Sequence, residues 1–558
     1  MGVALAPRCA IAATGILAFL GSGAGAATGQ ARATPAACRP TCWQLRLYTI
    51  ERGRLDDFAQ AWRQGVYPLR LKRGFQIPAA WSIKETNQFV WIVGYEGPET
   101  FEAKDSAYYA SAERAALQPD PRPWIARAEK WFVTPTPVVS GPAAQDQLPV
   151  PPGAEASDHF DAVVATNAYL ATVPADKRAR SDAYFEGGYW LILWNFLASG
   201  AVYLLLLGTG WSARMRDLAE RATGSKSVQT VLYWVQFLVI TAVLLFPLTV
   251  YQGFVREHQY DLATQTFGPW LGDQLKGLAV GLVGGGLFMI AIYGVVRRAP
   301  RTWWIWGSVV TVAFLMFSAM IAPVFILPLF NKYTKLEDAR VKEPILSMAR
   351  ANGIPASEVY VVDASRQSTR VSANVSGFLG TERITLNDNL LNRCTLPELE
   401  STMGHEMGHY VLNHEYKGTL FFGVLTVLGF AFLRGASARA LTRWGGAWRV
   451  RGVDDLAALP LFALLMAVYF FVLTPVTNTY IRTQEYEADI FGLNAAGQPD
   501  GEAVIDLKLG DYRKLDPGPV EEFIFFDHPS GRTRIYAAMR WKAEHLNSPL
   551  YGAPASSR

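Results

Sequence analysis

Long apolar runs, set apart by charged or Pro/Gly-rich stretches, limit what this chain can fold into more than any other feature. Four follow one another at 189–210, 231–250, 277–296 and 303–329. Each is long enough to cross about 30 Å of hydrocarbon, and aromatic residues sit at several of their ends. A polar stretch, 330–417, interrupts the series, and two more spans follow at 419–433 and 456–476, the first of them short. Half of the 558 residues are hydrophobic, and their clustering is that of a polytopic membrane protein, with the lipid bilayer as a partner. A net charge of +4 is small for this length and gives no sign of nucleic-acid binding.

Upstream of the spans the pattern changes. Arg8, an apolar run over 10–20 and the small residues Ala24-Gly25-Ala26 describe a secretory signal peptide over 1–26, with an uncleaved first transmembrane helix as the alternative. Cys38 and Cys42 open the mature chain and are able to pair after export. Residues 43–134 read as a soluble α+β domain. A strand over 43–50 precedes a helix over 54–70 with Leu55, Phe58, Trp62 and Val66 on one face. Strands at 75–84 and 88–95 turn at Thr86-Asn87, a helix covers 99–116, and 131–134 closes the unit. The order β-α-β-β-α-β is ferredoxin-like. The domain is expected to be a docking or dimerising module, which would make the chain a homodimer. Residues 135–158, rich in Pro, Ala and Gly, read as a linker to a membrane region, 159–329. A peptidase region, 330–545, holds the last two spans.

The chemistry lies in HEMGH, His405 to His409. Thr395 with Glu398 forms a capping box and Pro397 suits a first turn, so a helix begins there. Positions i and i+4 share a face, which puts both imidazoles on one metal ion, and Glu406 beside them serves as the base that accepts a proton from metal-bound water. A catalytic zinc takes three protein ligands. His414 is offset by five residues and points elsewhere, as a surface or capping histidine. The better third ligand is Glu485: Asn478, Arg482, Glu485 and Asp489 form one polar stripe on a helix that continues from the preceding span, and such a stripe should look into a cavity. Asp489 is placed to accept the second N–H of a ligating imidazole. Glu487, the rival ligand, lies on the opposite face. Cys394 is a lone thiol without an assigned role.

HEMGH followed by Glu485-Tyr-Glu-Ala-Asp489 resembles the integral-membrane CAAX prenyl protease type 1 family and its bacterial relatives, and the likeness runs from about 180 to 540. It includes 254–276, 322–338, 359–391 and DHPSGRTRI at 527–535. The resemblance implies a mainly α fold, a ring of transmembrane helices around a chamber capped by a zincin-like domain. It implies one zinc per chain on His405, His409 and Glu485, with Glu406 as base, Asp489 orienting a ligand and His528 approaching the metal. It also implies that an edge strand, here Ser372, Ala373, Asn374 and Val375, pairs with the substrate backbone. Where the eukaryotic enzymes have Ser-Asn-Ala-Tyr, this chain has Ser-Ala-Asn-Val. The 43–134 segment, which resembles the NIPSNAP branch of dimeric α/β-barrel domains, is foreign to the family plan.

The function expected is that of a membrane zinc endopeptidase acting on membrane-associated or lipid-modified polypeptides. A quality-control protease, an idle scaffold working through the N-terminal domain, and a transporter are the alternatives; intact Glu406 argues against the scaffold, and no internal repeat supports the transporter. The loops 211–230, 297–302 and 434–455 are rich in Arg and Lys, whereas 251–275 holds only Arg256. Basic short loops stay cytoplasmic, so the peptidase region is expected to face the periplasm from a bacterial inner membrane. Lys177, Arg178 and Arg180 stand against this.

Overall fold

Buried residues alternate with half-exposed ones from Trp43 to Ile50, the period-2 signature of a strand with one face on a core. This strand, β1 (Thr41–Ile50), is the centre of the first unit of a computed structural model that describes residues 41–96, 99–133, 148–376 and 383–546. The signal segment and Cys38 lie outside the described residues. Two compact units are present, within Ala26–Gly141 and within Pro142–Arg558.

In the first unit β2 (Phe75–Gln76), β3 (Ala80–Ile83), β4 (Gln88–Glu96) and β5 (Ile125–Val133) join β1. The antiparallel order is β2-β4-β1-β5, with β3 also on β4. If β2 and β3 count as one broken strand, this is the expected β-α-β-β-α-β arrangement. The strand expected over 75–84 is split around Pro78, which has no N–H for the ladder. The closing strand begins six residues earlier than expected. Phe58, Trp62, Phe101 and Tyr108 from the helices pack on Tyr48, Phe89 and Trp91 of the sheet. The other face carries Trp43, Leu45 and Leu47 of β1 opposite Ile92, Val90 and Trp131, all half-buried or exposed.

The second unit has six helices long and apolar enough to cross a membrane among the described residues: Ala175–Gly208, Lys226–Gln259, Phe267–Arg298, Trp303–Leu329, His414–Trp448 and Leu456–Ala496. Five of the six expected spans lie inside them, and the first, 189–210, runs two residues past the end of its helix at Gly208. The short one at 419–433 is the middle of a 35-residue helix that runs on through Arg434, Arg439 and Arg443. Between the fourth and fifth helices a small sheet forms, ordered β6 (Tyr333–Lys335), β7 (Val359–Val362), β9 (Arg383–Asn387), β8 (Ala373–Ser376). Its apolar face packs with Leu399, Met403 and Met407 of the helix Leu396–Val411. Residues 148–158, read as the end of a linker, are instead seated on this unit. Ala154 is buried with Ile535 and Ala538, and its carbonyl accepts from Lys542 Nζ at 2.7 Å.

Candidate metal centre

The HEMGH helix starts where the capping box places it: Glu398 Oε2 accepts from the Thr395 backbone N–H at 2.8 Å. Its face of small residues then meets the long helix Leu459–Ala496. A Cβ on Gly492 would stand 2.7 Å from the His405 nitrogen, and one on Gly404 would stand 2.9 Å from the Gly492 carbonyl oxygen. Backbones this close bring the carboxylates of one helix onto the imidazoles of the other.

Three groups converge there. Nε2 of His405 and Nε2 of His409 are 3.1 Å apart. The Glu485 carboxylate lies 3.3 Å from the first and 3.6 Å from the second. All three donors fall within 4.8 Å of one another. Donors about 2.0–2.1 Å from a tetrahedral zinc stand about 3.3 Å apart, so two nitrogens and a carboxylate oxygen at these spacings fit a metal ion. Glu406 is buried beside them, and its Oε2 has no hydrogen-bond partner among protein atoms. A buried carboxylate oxygen left open next to a donor cluster fits a site completed by a water and an ion.

The surroundings orient these donors. His405 Nδ1 donates to Asp489 Oδ1 at 2.7 Å, which leaves Nε2 for the cluster. Asp489 in turn accepts from Arg534 Nε at 2.9 Å. Burial opposes charge on His405, but the Asp489 and Glu485 carboxylates outweigh it and hold the metal-free imidazole well above its ordinary range. The field at this point favours a cation. His528 Nε2 is 3.2 Å from Glu485 Oε2. Its segment is gripped by the first half of the polar stripe: Asn478 donates to the Ile524 carbonyl at 2.8 Å and Arg482 to that of Glu522 at 2.9 Å. The stripe therefore splits. Its first two residues hold a neighbouring helix, Pro519–Phe525, and do not face an open cavity; its last two face the imidazoles.

Ser372–Val375 lie at the rim of the sheet. β8 pairs with β9, Ala373 opposite Leu386 and Val375 opposite Ile384, and no further strand pairs with β8 among the described residues. Asn374 Oδ1 is buried without a partner. Arg370, just before this strand, is tied by its Nη2 to Glu257 and Tyr184 at 2.6 Å each, which links the strand's entry to two membrane helices.

His414 is neither a surface residue nor a helix cap exposed to solvent: it is buried, and its Nδ1 is 2.9 Å from Nδ1 of His409. Five residues on along an unbroken helix His414 would point away from His409, but the helix ends at Val411. Asn413, with φ 58°, turns the chain back in the left-handed conformation that Asn tolerates. Arg534 and His414 were missed as site residues because each reaches the centre across a chain reversal or a long sequence separation.

A sequence profile described as Peptidase family M48 matches residues 335–542. Another, described as CAAX prenyl protease N-terminal, five membrane helices, matches residues 165–332. The chain is 31% identical over 341 residues to the Uncharacterized metalloprotease YhfN of Bacillus subtilis (strain 168), covering 60% of this chain and 79% of that protein. The chain belongs to peptidase family M48. It is also similar to CAAX prenyl protease 1 of Saccharomyces cerevisiae, at 28% identity over 312 residues, 52% of this chain and 68% of the yeast protein. The crystal structure of S. mikatae Ste24p shares the fold, with a TM-score of 0.57 at 23% identity, covering 66% of this chain and 89% of that one. Within 165–332 this M48 chain has four candidate spans, where the N-terminal profile is described with five helices. It is a multi-pass membrane metallopeptidase, and a polypeptide is its substrate.

Proposed function

We propose that the chain is a zinc endopeptidase that cleaves membrane-associated or lipid-modified polypeptides, with one zinc on His405, His409 and Glu485 and with Glu406 as general base. The carrying observation is the convergence of those three donors beside the open, buried Oε2 of Glu406. The name of the yeast relative, CAAX prenyl protease 1, supports a prenylated C-terminal segment as one substrate class.

Zinc, when bound, polarises the scissile carbonyl and acidifies a water. The free edge of β8 takes the substrate backbone as an added strand. Glu406 removes a proton from the attacking water and delivers it to the departing amine. Asp489 keeps His405 in the tautomer that presents Nε2. His528 offers an N–H beside the cluster for the oxyanion that develops on the carbonyl oxygen. Glu406→Gln should keep about one zinc per chain and lose roughly 10²–10⁴-fold in turnover. His409→Ala and Glu485→Ala should lose the metal as well. Zinc content with a peptide-hydrolysis assay checks this, and near-normal turnover in Glu406→Gln sinks the mechanism.

The site faces the periplasm across a bacterial inner membrane. Arg216 pairs with Asp455 at 2.5 Å and Arg451 with Glu220 at 2.8 Å, so two of the basic loops meet on one side. Of the opposing cations Lys177, Arg178 and Arg180, the last two are paired with Asp516 and Asp261.

The N-terminal unit, a NIPSNAP-like module, joins two copies of the chain through the outer face of its sheet. Trp43, Leu45, Leu47 and Ile92 form an apolar surface there, with Trp131 at its border 44% exposed. Such a face is self-complementary about a two-fold axis. Light scattering of the purified chain in detergent should show a dimer that Trp131→Glu weakens; a monomeric wild type overturns this.

A further inference from the structure

The two imidazoles of the proposed zinc site are held in different ways. His405 donates straight to a carboxylate, Asp489. Among the described residues no carboxylate stands at Nδ1 of His409; the atom found there is Nδ1 of His414, at 2.9 Å. On the far side of that second ring, His414 Nε2 lies 3.1 Å from Glu487 Oε2, which also accepts from Lys417 Nζ at 3.0 Å.

Only one arrangement of protons satisfies this chain. If Nε2 of His409 faces a metal, its Nδ1 must carry the hydrogen. Nδ1 of His414 must then be the acceptor, so the hydrogen of His414 is on Nε2 and is donated to Glu487. Every bond runs in the same direction, from the donor cluster out to a carboxylate at the surface. The His414 side chain is 6% exposed and that of Glu487 is 42% exposed, so the relay connects the half-buried His409 to solvent. Asn413 makes this possible by reversing the chain in the left-handed region, which carries His414 back over His409.

We infer that His414, backed by Glu487, is a positioning residue that fixes the tautomer and ring orientation of His409, the counterpart of Asp489 for His405. This rests on the ligand set proposed above. A hydrogen-bond acceptor behind a ligating imidazole typically contributes 10–100-fold in metal affinity.

The test is zinc affinity, measured by competition with a chelator on purified full-length chain in detergent. His414→Phe fills the same space without an acceptor and should weaken zinc binding 10–100-fold. His414→Asn keeps an oxygen near the Nδ1 position and should stay within about tenfold of wild type. Glu487→Ala, at the surface, keeps the fold and should raise the dissociation constant several-fold, and that value decides the matter if the His414 variants do not fold. A wild-type affinity in His414→Phe, equal losses in the Phe and Asn variants, or no change in Glu487→Ala overturns the relay. His409→Ala is the reference: zinc retained there disproves the ligand set itself, whatever the His414 variants do.

Discussion

Arg534 shows how much one side chain carries at this centre. It is buried and pairs with three carboxylates, Asp489, Glu502 at 3.1 Å and Asp506 at 2.9 Å. One guanidinium does not neutralise three buried anions. Burial pushes the Asp506 carboxyl well above the usual range, and Glu502 and Asp489 add to this against the pull of Arg534. Asp506 therefore holds a proton more tightly in the folded state than in the unfolded one. Its contribution to stability falls as the pH rises from about 4, the unfolded value, toward the folded-state pKa. Asp506→Asn should remove that slope and leave stability at pH 7 within about 1 kcal/mol of wild type. Arg534→Met, which leaves buried charge uncompensated, should cost roughly 3–5 kcal/mol and lower the zinc content through Asp489. Thermal unfolding across pH, with metal analysis, checks both; a harsher effect from Asp506→Asn than from Arg534→Met would refute the proton assignment.

Between elements, the decisive contact is the close approach of the HEMGH helix to the helix that carries Glu485. Gly404 and Gly408 on one side meet Gly492, Phe491 and Ala488 on the other. An added methyl on Gly492 would collide with backbone, which cannot rotate away as a side chain does. Gly492→Ala should therefore push the helices apart, with a cost of roughly 1–3 kcal/mol and loss of zinc affinity although no ligand is touched. Wild-type zinc affinity in this variant would show that the packing does not set the ligand spacing. The capping box and the polar stripe made both helices visible beforehand. The close approach was not, because small residues advertise it only when the partner helix is known.

At the scale of the whole molecule, alternate crossing by six helices leaves the turns near 210–225, 299–302 and 449–455 on one side and the small sheet on the other. The ion pairs Arg216–Asp455 and Arg451–Glu220 bind two of those turns together. Basic short loops stay in the cytoplasm. Alkaline phosphatase fused after residue 340 should be active and after residue 445 inactive, with a fluorescent-protein reporter giving the opposite pattern. Phosphatase activity at 445 alone would restore a cytosolic site.

What the residues determined unaided is what periodicity and local chemistry can encode. Six spans, the start of the HEMGH helix, and a common face for Glu485 and Asp489 depend on neighbours within a few turns, and all are legible along the chain. So is the strand order of the N-terminal unit, except where Pro78 divides a strand. The contacts that assemble the candidate site join residues far apart: His405 to Asp489 across 84 positions and Arg534 to His405 across 129. No local pattern encodes such pairs, because the free energy that brings them together comes from burying the helix faces around them. The same holds for His414. Its distance from His409 in sequence suggested that it pointed away, and only the left-handed turn at Asn413 brought it back against His409.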